Sequence, residues 1–385
     1  MELTLFVDHQ CNLRCTYCYN GEKFARRMPE EVMRRAIDLA LELAPPRLDL
    51  GVFGGEPLLH FDLLVEAAEY LEQALRRRPG PRPQVRLVVN TNGTVLTDEI
   101  LDWLAPPRPV TVFLSLDGPP EVHDRHRLTS AGGGSHARVR DGLAALAARG
   151  IRVELVAVAC VDTAGALGET AAELLAAGAP RVTLSPNLRD AWTDPAIAAL
   201  RGGLAAAGAA WQAEFRRGRA VAFEPLHTKI LTHLHGGIPC PARCLIAGTE
   251  LCVTPTGRIY PCAQMVGEDA DDRLAIGHVE RGLDRARIAE LQRQKDRVEA
   301  VCAPCALRDR CLSHCGCRHV ALTGALGEIT ATLCELESAF IEEADRVAEA
   351  LFTERDPTFL DFYYRRPRAA VPGSVLTPLR RSRDS

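Results

Sequence analysis

Three cysteines near the start of the chain have the spacing and residue type needed to hold a metal cluster. Cys11, Cys15 and Cys18 are spaced C-x3-C-x2-C and follow a short apolar run at residues 3–7. That run predicts a strand, because apolar and β-branched residues are followed directly by polar breakers. A closed zinc site needs four ligands, whereas three soft thiolates leave one iron of a [4Fe–4S] cluster open for chemistry. The spacing therefore favours an iron–sulfur cluster on a loop after the first strand.

The composition is that of a soluble globular protein with room for one large or two medium domains. The chain has 385 residues, of which 47% are hydrophobic and 25% charged, and its net charge is −4. This charge gives no reason to expect nucleic-acid binding. No apolar run reaches the roughly 18 residues that a membrane helix needs, and the chain begins almost directly on a strand. We therefore expect a cytoplasmic protein without a membrane partner.

The cysteines divide the chain into two zones. Of the fourteen cysteines, three lie within the first 18 residues, one is Cys160, and ten lie between Cys240 and Cys334. In a cytoplasmic protein such a number favours metal binding over disulfides. We interpret Cys160 as a small core residue, because it ends a nearly continuous apolar run.

Strands and helices are predicted to alternate over the first half of the chain. Such alternation predicts a parallel sheet with right-handed crossovers, and six units are too few for a closed eight-stranded barrel. The strands are expected at residues 3–7, 48–53, 85–89, 110–114, 151–160 and 182–186, and the helices at 29–43, 61–78, 136–149 and 164–177.

Small polar motifs end three of these strands, at the same sheet edge as the cysteine loop. The second strand ends in Gly54-Gly55-Glu56-Pro57, the third in Asn90-Thr91-Asn92-Gly93 and the fourth in Ser115-Leu116-Asp117-Gly118. All three stretches are also good turn sequences. In addition, glycines permit close backbone approach and a carboxylate suits an ammonium partner, so the first of them could bind a ligand.

Together these motifs resemble the radical SAM superfamily: C-x3-C-x2-C with an aromatic residue before the last cysteine, then GGEP after the second strand. The resemblance implies an α/β fold, a partial (β/α)6 TIM-like barrel. It also implies that S-adenosylmethionine (SAM) chelates the open iron of a [4Fe–4S] cluster and is reductively cleaved to a 5′-deoxyadenosyl radical. The SAM contacts that it implies are Tyr17, Gly54, Gly55, Glu56, Asn92, Ser115 and Asp117.

The second cysteine zone resembles the SPASM extension of radical SAM enzymes. Its motifs are C-x12-G-x4-C from Cys244 through Gly257 to Cys262, and C-x2-C-x5-C-x3-C-x18-C from Cys302 to Cys334. The residues 254–257 are predicted to form a hairpin turn. The resemblance implies two auxiliary [4Fe–4S] clusters, hence three clusters in all. Their implied ligands are Cys240, Cys244, Cys262 and Cys315 for the nearer cluster, and Cys302, Cys305, Cys311 and Cys334 for the farther one.

Two further cysteines of this zone do not match the motif. Cys252 has apolar neighbours on the predicted hairpin strand and is interpreted as a core residue. Cys317 is supernumerary, and two possibilities stay open for it: it replaces a ligand or it remains a free thiol. The expected domains are a barrel at 1–190, a helical bridge at 191–239, a SPASM domain at 240–335, and a C-terminal helix at 336–352 with a loose tail to residue 385.

The resemblance implies an enzyme that modifies a precursor peptide or protein with a reductant such as flavodoxin or ferredoxin. Sulfatase maturases of this family carry an Asp directly after the cysteine that aligns with Cys262. Here Ala263 and Gln264 follow, so a thioether or carbon–carbon crosslink in a ribosomally made peptide is favoured over formylglycine formation. The catalytic base is unassigned. A non-catalytic iron–sulfur electron carrier and a zinc-binding module are alternatives from other classes. Asp269, Asp271 and Asp272, which follow Cys262 in the sequence, are interpreted as a solvated surface turn, although one of them could fold back and act as the catalytic base.

Overall fold

A single mixed sheet connects the two cysteine zones. The computed structural model describes residues 1–237, 244–248 and 250–365. Within these residues the strand order is β11-β10-β9-β8-β1-β2-β3-β4-β5-β6-β7. The strands are β1 Glu2–Phe6, β2 Arg47–Phe53, β3 Gln84–Thr91, β4 Val110–Ser115, β5 Arg152–Ala159, β6 Arg181–Pro186, β7 Ala222–Glu224, β8 Glu250–Val253, β9 Arg258–Tyr260, β10 Gly277–His278 and β11 Gly282–Leu283.

Helices connect the parallel strands and continue into the C-terminal region. Short 3-10 turns at Pro57–His60 and Ala164–Ala166 precede two of them, and another lies at Ala263–Met265. The helices are α1 Glu30–Glu42, α2 Phe61–Arg77, α3 Asp98–Leu104, α4 Pro120–His126, α5 His136–Ala148, α6 Leu167–Ala176, α7 Asp194–Arg216, α8 Leu226–Leu234, α9 Arg285–Lys295, α10 Val298–Cys302, α11 Gly316–Thr323, α12 Ala331–Thr353 and α13 Pro357–Leu360, followed by a π-helical turn at Asp361–Arg365.

The six predicted strands, β1 to β6, are present in the predicted order. Each pairs with the next in parallel, for example Leu3 with Leu50 and Leu87 with Val110. The predicted α/β class with a partial (β/α)6 barrel is therefore confirmed. Because the strands are parallel, their carboxyl ends meet at one edge, where ligands of such sheets usually bind.

The prediction of a helical bridge at 191–239 is wrong in part, because the described residues of this segment are not all helical. Helix α7 is present, but β7 follows it and pairs in parallel with β6, with Phe223 opposite Val182. The strand has only three residues and is stabilised by a non-local pairing, which a local sequence pattern does not encode. The side chain of Arg181 also binds Glu224 across this pair. The domain boundaries remain predictions.

The predicted hairpin turn at 254–257 joins β8 to β9. These strands are antiparallel, and Gly257 adopts a φ of 85°, which favours glycine. Strand β8 also pairs in parallel with β1, so the second cysteine zone continues the barrel sheet. Cys252 is fully buried in β8, and Cys160 is also buried, which confirms both as core residues.

Two earlier predictions fall outside the described residues, namely Cys240 and the loose tail from residue 367 on. No helix among the described residues is long and apolar enough to cross a membrane.

A buried ion cluster links three helices of the C-terminal half. The Lys229 ammonium on α8 lies 2.5 Å from Oε2 of Glu337 on α12, and Arg318 on α11 binds Oε1. The backbone N–H of Leu312 donates to the same carboxylate at 2.7 Å. Burial alone would raise the pKa of Glu337, but Arg318 and Lys229 lower it to about 2. Glu337 is therefore the anionic partner that two buried cations share.

We predict that Glu337→Gln strongly destabilises the protein, because two cations would lose their charged partner inside the protein. Removing one member of a buried ion pair costs about 3–5 kcal/mol. Anaerobic urea denaturation measures this free energy of unfolding. The matched control is Glu335→Gln on the same helix, since the Glu335 side chain is 57% exposed in its pair with Arg201 and its loss should cost less than about 1 kcal/mol. Equal stability of the two variants would contradict the role of Glu337.

Candidate active site and auxiliary metal centres

The loop after β1 carries Cys11, Cys15 and Cys18, and backbone contacts hold it on one side. Arg14 N–H donates to the Leu128 carbonyl at 2.7 Å, and Thr16 N–H donates to the His126 carbonyl at 3.0 Å. A β-bridge also joins residue 13 to residue 129. The loop therefore keeps its path without using the three thiols.

The three thiols are half-buried and chemically suited to an iron–sulfur cluster. The Sγ of Cys11 accepts from Leu13 N–H at 3.4 Å, and the Lys23 ammonium donates to Cys18 Sγ at 2.9 Å. Burial raises the pKa of Cys11 to about 11 and also raises the pKa of Cys15. Iron would bind the thiolates and release their protons. Three sulfur donors on one loop fit a [4Fe–4S] cluster with one open iron.

The end of β2 lies against this loop with no room for side chains. A Cβ on Gly55 would stand 1.9 Å from the Gln10 carbonyl oxygen, and one on Gly54 would stand 2.4 Å from the Asp8 carbonyl oxygen. Instead, Gly55 N–H donates to Asp8 O at 2.8 Å and Glu56 N–H donates to Gln10 O at 2.9 Å. Glycine is therefore required at both positions.

Asp8, the first of the polar residues that end the predicted first strand, reinforces this contact. Its side chain is buried, and Oδ1 accepts from the backbone N–H groups of Gln10 at 2.9 Å and Arg26 at 2.8 Å. Its Oδ2 lies 2.6 Å from Nε2 of His60. Asp8 therefore fixes both the start and the end of the cluster loop. Its position just before the first cysteine is the signal that could have identified it.

Glu56 is buried at the centre of the predicted SAM site. Its Oε1 accepts from Leu58 N–H at 3.1 Å and from Thr91 Oγ1 at 2.8 Å, while Oε2 accepts from Asn92 N–H at 2.7 Å. Burial raises the pKa of Glu56 to about 6, and these hydrogen bonds oppose the shift. Each carboxylate oxygen has two acceptor positions. These three bonds therefore leave one position on Oε2 that a further donor can occupy.

Asn92 connects the end of β3 to the cluster loop. Its amide Nδ2 donates to Asn12 Oδ1 at 2.9 Å and lies 3.9 Å from Cys11 Sγ. Its Oδ1 accepts from the Thr94 hydroxyl at 2.6 Å. The ends of β2 and β3 and the cluster loop thus form one hydrogen-bonded unit.

Tyr17 and Asp117 meet on the other side of the loop, together with Arg127. The Tyr17 hydroxyl donates to Asp117 Oδ2 and accepts from Arg127 at 2.6 Å. Asp117 Oδ1 accepts from Val158 N–H at 3.0 Å. Burial raises the pKa of both Tyr17 and Asp117, and Arg127 opposes that shift. Sequence reasoning missed Arg127, since nothing local identifies it as the cation that compensates Asp117.

Ser115, the remaining predicted SAM contact, is half-buried at the end of β4 opposite Val156 of β5. All seven predicted SAM contacts therefore lie on the cluster loop or at the ends of β2, β3 and β4. Their contact with SAM remains a prediction.

The predicted ligands of the nearer auxiliary cluster converge from separate segments. Cys315, at the start of α11, hydrogen-bonds with Cys244, and its Sγ lies 3.3 Å from that of Cys317. The thiol of Cys317 in turn hydrogen-bonds with Cys262, two residues after β9. Cys317 thus lies among three of the four predicted ligands, and the fourth, Cys240, is outside the described residues.

Two of the predicted ligands of the farther cluster, Cys302 and Cys311, lie beside Ser313. The Sγ of Cys302 lies 3.4 Å from Ser313 Oγ, and Cys311 hydrogen-bonds with Ser313 too. Cys334, in the first turn of α12, has Cys302 and Cys305 as electrostatic neighbours. The described members of the two predicted ligand sets thus lie in two groups of thiols, and the assignment of ligands remains a prediction. The clusters themselves remain predictions.

The position after Cys262 holds no titratable side chain. Ala263 is buried, and its N–H donates to Oε1 of Glu250 at 3.1 Å. Our surface interpretation of Asp269 is wrong: it is 1% exposed and accepts from the Thr256 hydroxyl at 2.7 Å and the Tyr260 hydroxyl at 3.1 Å. Asp269 therefore does fold back, but its carboxylate is used to hold the hairpin.

Asp271 and Asp272 are exposed, as expected for a surface turn. Asp272 binds Arg258 at 2.5 Å.

Residues 7–178 match the family model described as the radical SAM superfamily. The chain is 30% identical over 167 residues to the serine-type anaerobic sulfatase-maturating enzyme of Bacteroides thetaiotaomicron, which covers 40% of this chain and 37% of that enzyme. It is 29% identical over 129 residues to the cysteine-type enzyme of Clostridium perfringens, covering 32% of this chain and 34% of that enzyme. These matches thus span little more than a third of each relative.

Solved structures show the same fold over most of the chain. Native anSMEcpe with bound AdoMet superposes with a TM-score of 0.71 at 18% identity, covering 92% of this chain and 99% of that one. Streptococcus suis SuiB bound to precursor peptide SuiA gives a TM-score of 0.50 at 16% identity, covering 70% and 61%. With the family match, the fold and the cysteine loop in agreement, residues 7–178 of this chain are a radical SAM domain.

Proposed function

We propose that this protein is a radical SAM enzyme that modifies a peptide or protein and forms a thioether or carbon–carbon crosslink. The observation that carries this proposal is the junction of the cluster loop with Gly54, Gly55 and Glu56. When bound, a [4Fe–4S] cluster and SAM supply a 5′-deoxyadenosyl radical that removes a hydrogen atom from a substrate carbon. Cys11, Cys15 and Cys18 would hold this cluster.

The residues at the strand ends would bind and orient SAM. The open acceptor position on Glu56 Oε2 suits the SAM ammonium, because a buried carboxylate and a cation form a strong hydrogen bond. Asn92 positions the cluster loop through Asn12. Tyr17 is held by Asp117 and Arg127, so its ring is fixed beside Cys18. A site that is held this firmly can orient a reactive group and exclude water.

The residue at position 263 supports crosslinking over formylglycine formation. Formylglycine formation requires a proton acceptor near the substrate carbon, and in the sulfatase maturases that the sequence resembles this is an Asp directly after the cluster ligand. Here Ala263 takes that place. Asp269 is already bonded to Thr256 and Tyr260. Sulfatase maturation is the second candidate, which is favoured by the sequence similarity to two sulfatase-maturating enzymes.

The peptide-bound structures among the neighbours support a peptide substrate. One is anSMEcpe with AdoMet and the Cp18Cys peptide, and another is SuiB with SuiA. Two auxiliary clusters on the second cysteine zone could accept the electron released by the substrate, and flavodoxin or ferredoxin could supply the first electron. A non-catalytic electron carrier would not need the Glu56 arrangement.

We predict that Glu56→Gln weakens SAM binding at least about tenfold without loss of iron. A hydrogen bond to a charged group contributes about 1.5–3 kcal/mol, and the amide nitrogen of Gln cannot accept from an ammonium. Anaerobic equilibrium dialysis with labelled SAM measures the affinity. Glu69→Gln is the matched control, because Glu69 is exposed on α2. If the Glu56 variant bound SAM with unchanged affinity, the segment Gly54-Gly55-Glu56-Pro57 would be a turn without a role in SAM binding.

The same carboxylate predicts how SAM binding depends on pH. Because burial raises the pKa of Glu56 to about 6, the carboxyl becomes protonated as the pH falls through that value. Wild-type affinity for SAM should therefore decrease between pH 7 and pH 5. The Glu56→Gln variant should lack this decrease. A parallel decrease in both proteins would assign the pH dependence to another group.

We predict that the reconstituted protein holds about twelve iron atoms, as expected for three [4Fe–4S] clusters. Changing Cys11, Cys15 and Cys18 together to Ala should remove about four of them and abolish 5′-deoxyadenosine production. Iron analysis and chromatography of the SAM products measure both effects. Undiminished SAM cleavage by the triple variant would refute the assignment of the first cluster.

We predict that the enzyme does not convert a sulfatase-type Cys-x-Pro-x-Arg peptide to formylglycine at a rate comparable to SAM cleavage. The reason is the missing acid–base residue at position 263. Mass spectrometry of the peptide after anaerobic turnover tests this, and Ala263→Asp provides the matched variant. A precursor peptide substrate should instead lose hydrogen on crosslinking when it is co-expressed with the enzyme. Formylglycine in the wild-type reaction would favour sulfatase maturation.

A further inference from the structure

The nearer group of auxiliary thiols contains one cysteine more than its motif requires. Cys317 lies within the group, with its Sγ 3.3 Å from Cys315 Sγ. It also hydrogen-bonds with Cys262, and Cys315 hydrogen-bonds with Cys244. The four sulfur atoms therefore form a continuous chain from Cys244 through Cys315 and Cys317 to Cys262. Three distinct segments contribute to it, so this chain is not a local feature of one loop.

The backbone between Cys315 and Cys317 is tightly packed. A Cβ on Gly316 would lie 3.0 Å from Met265 Cε and 3.1 Å from a methyl carbon of Leu326. Arg318 N–H donates to the Cys315 carbonyl at 3.0 Å as α11 begins. Gly316 therefore lets this turn approach its neighbours closely, and Cys315 and Cys317 stay together.

Two buried cations lie beside these thiols. The Lys295 side chain has no solvent exposure and is an electrostatic neighbour of Cys244. Arg318 is an electrostatic neighbour of both Cys315 and Cys317. Both cations are also paired with carboxylates, Lys295 with Asp296 at 2.5 Å and Arg318 with Glu337.

Cys252, by comparison, has the environment of a core residue. It lies within β8, paired with Thr4 of β1 on one side and Tyr260 of β9 on the other. It has no solvent exposure. Its thiol thus provides a control for removing a sulfur atom from the same cysteine zone.

We propose that Cys317 is a ligand of the nearer auxiliary iron–sulfur cluster and completes a four-thiolate set with Cys244, Cys262 and Cys315. The inference rests on the auxiliary clusters of the proposed function. It differs from the ligand set implied by the family resemblance, in which Cys240 takes this position. Binding involves loss of the thiol proton and formation of one sulfur–iron bond, with no change of oxidation state. Cys240 is then not required for the cluster.

The test uses the full chain with Cys11, Cys15 and Cys18 changed to Ala, so that only auxiliary clusters remain. After anaerobic reconstitution this protein should hold about eight iron atoms. Adding Cys317→Ala should lower the content to about four, whereas adding Cys252→Ala or Cys240→Ala should leave it near eight. Iron content is independent of turnover. The proposal would be overturned if the Cys317→Ala protein kept all of its iron. It would also be overturned if the Cys240→Ala protein lost a cluster.

Cys317→Ser separates ligation from folding. A serine oxygen can still bind iron, so this variant should retain more iron than Cys317→Ala while shifting the electron paramagnetic resonance g values of one reduced cluster. Circular dichroism of each protein checks that the fold is intact. Unchanged g values with full iron content would show that Cys317 is not a ligand.

A background protein that holds no auxiliary iron would refute the cluster itself and, with it, the role of Cys317. The proposed function has a separate readout. The wild-type protein is tested for SAM cleavage and for a mass change in the peptide, so either conclusion can fail while the other stands.

Discussion

The approach of the end of β2 to the cluster loop is the constraint on which the rest of the site depends. A Cβ added to Gly55 would lie 1.9 Å from the Gln10 carbonyl oxygen, so any side chain at this position would force the two segments apart. Separation would break the hydrogen bonds from Gly55 to Asp8 and from Glu56 to Gln10. Glu56 would then lose its fixed position relative to Cys11. The distance between the three cysteines of the loop and the Glu56 carboxylate is thus set by the backbone.

Two buried carboxylates at this edge are stabilised in different ways. Glu56 accepts three hydrogen bonds from neutral donors, and its pKa is raised to about 6 by burial. Asp117 has a cationic neighbour, Arg127, whose guanidinium lies 3.9 Å from Oδ1. Arg127 also lowers the pKa of Glu56, but Glu56 forms no ion pair within the part of the chain that the structure describes, so a cationic ligand would be its first direct partner of opposite charge. This difference suits Glu56 to a cationic ligand and Asp117 to a structural role.

The sequence predicts the elements and residues whose signal is local, and misses those that depend on distant pairing. Strands β1 to β6 and their terminal motifs follow from short apolar runs with adjacent breakers. Strand β7 was missed, because three residues pair with β6 across a long helix. Arg127 and Asp269 were also missed or misread, since their roles come from partners brought close by the fold. The spacing of the cysteines leaves open whether Cys317 replaces a ligand or remains a free thiol. The convergence of thiols in the fold favours the ligand role.

The pairing of β8 with β1 places the two cysteine zones on the same sheet. Strand β8 runs parallel to β1 towards the cluster-loop edge, and β9 runs back, so Cys262 lies near the level of Glu250. Four strand residues span on the order of 13 Å, which sets the scale of separation between the zones. Tyr19 lies between them, with both Cys262 and Cys18 as electrostatic neighbours. Because strand hydrogen bonds fix this separation, the two groups of thiols keep a constant spacing, which electron transfer between them under the proposed function would require.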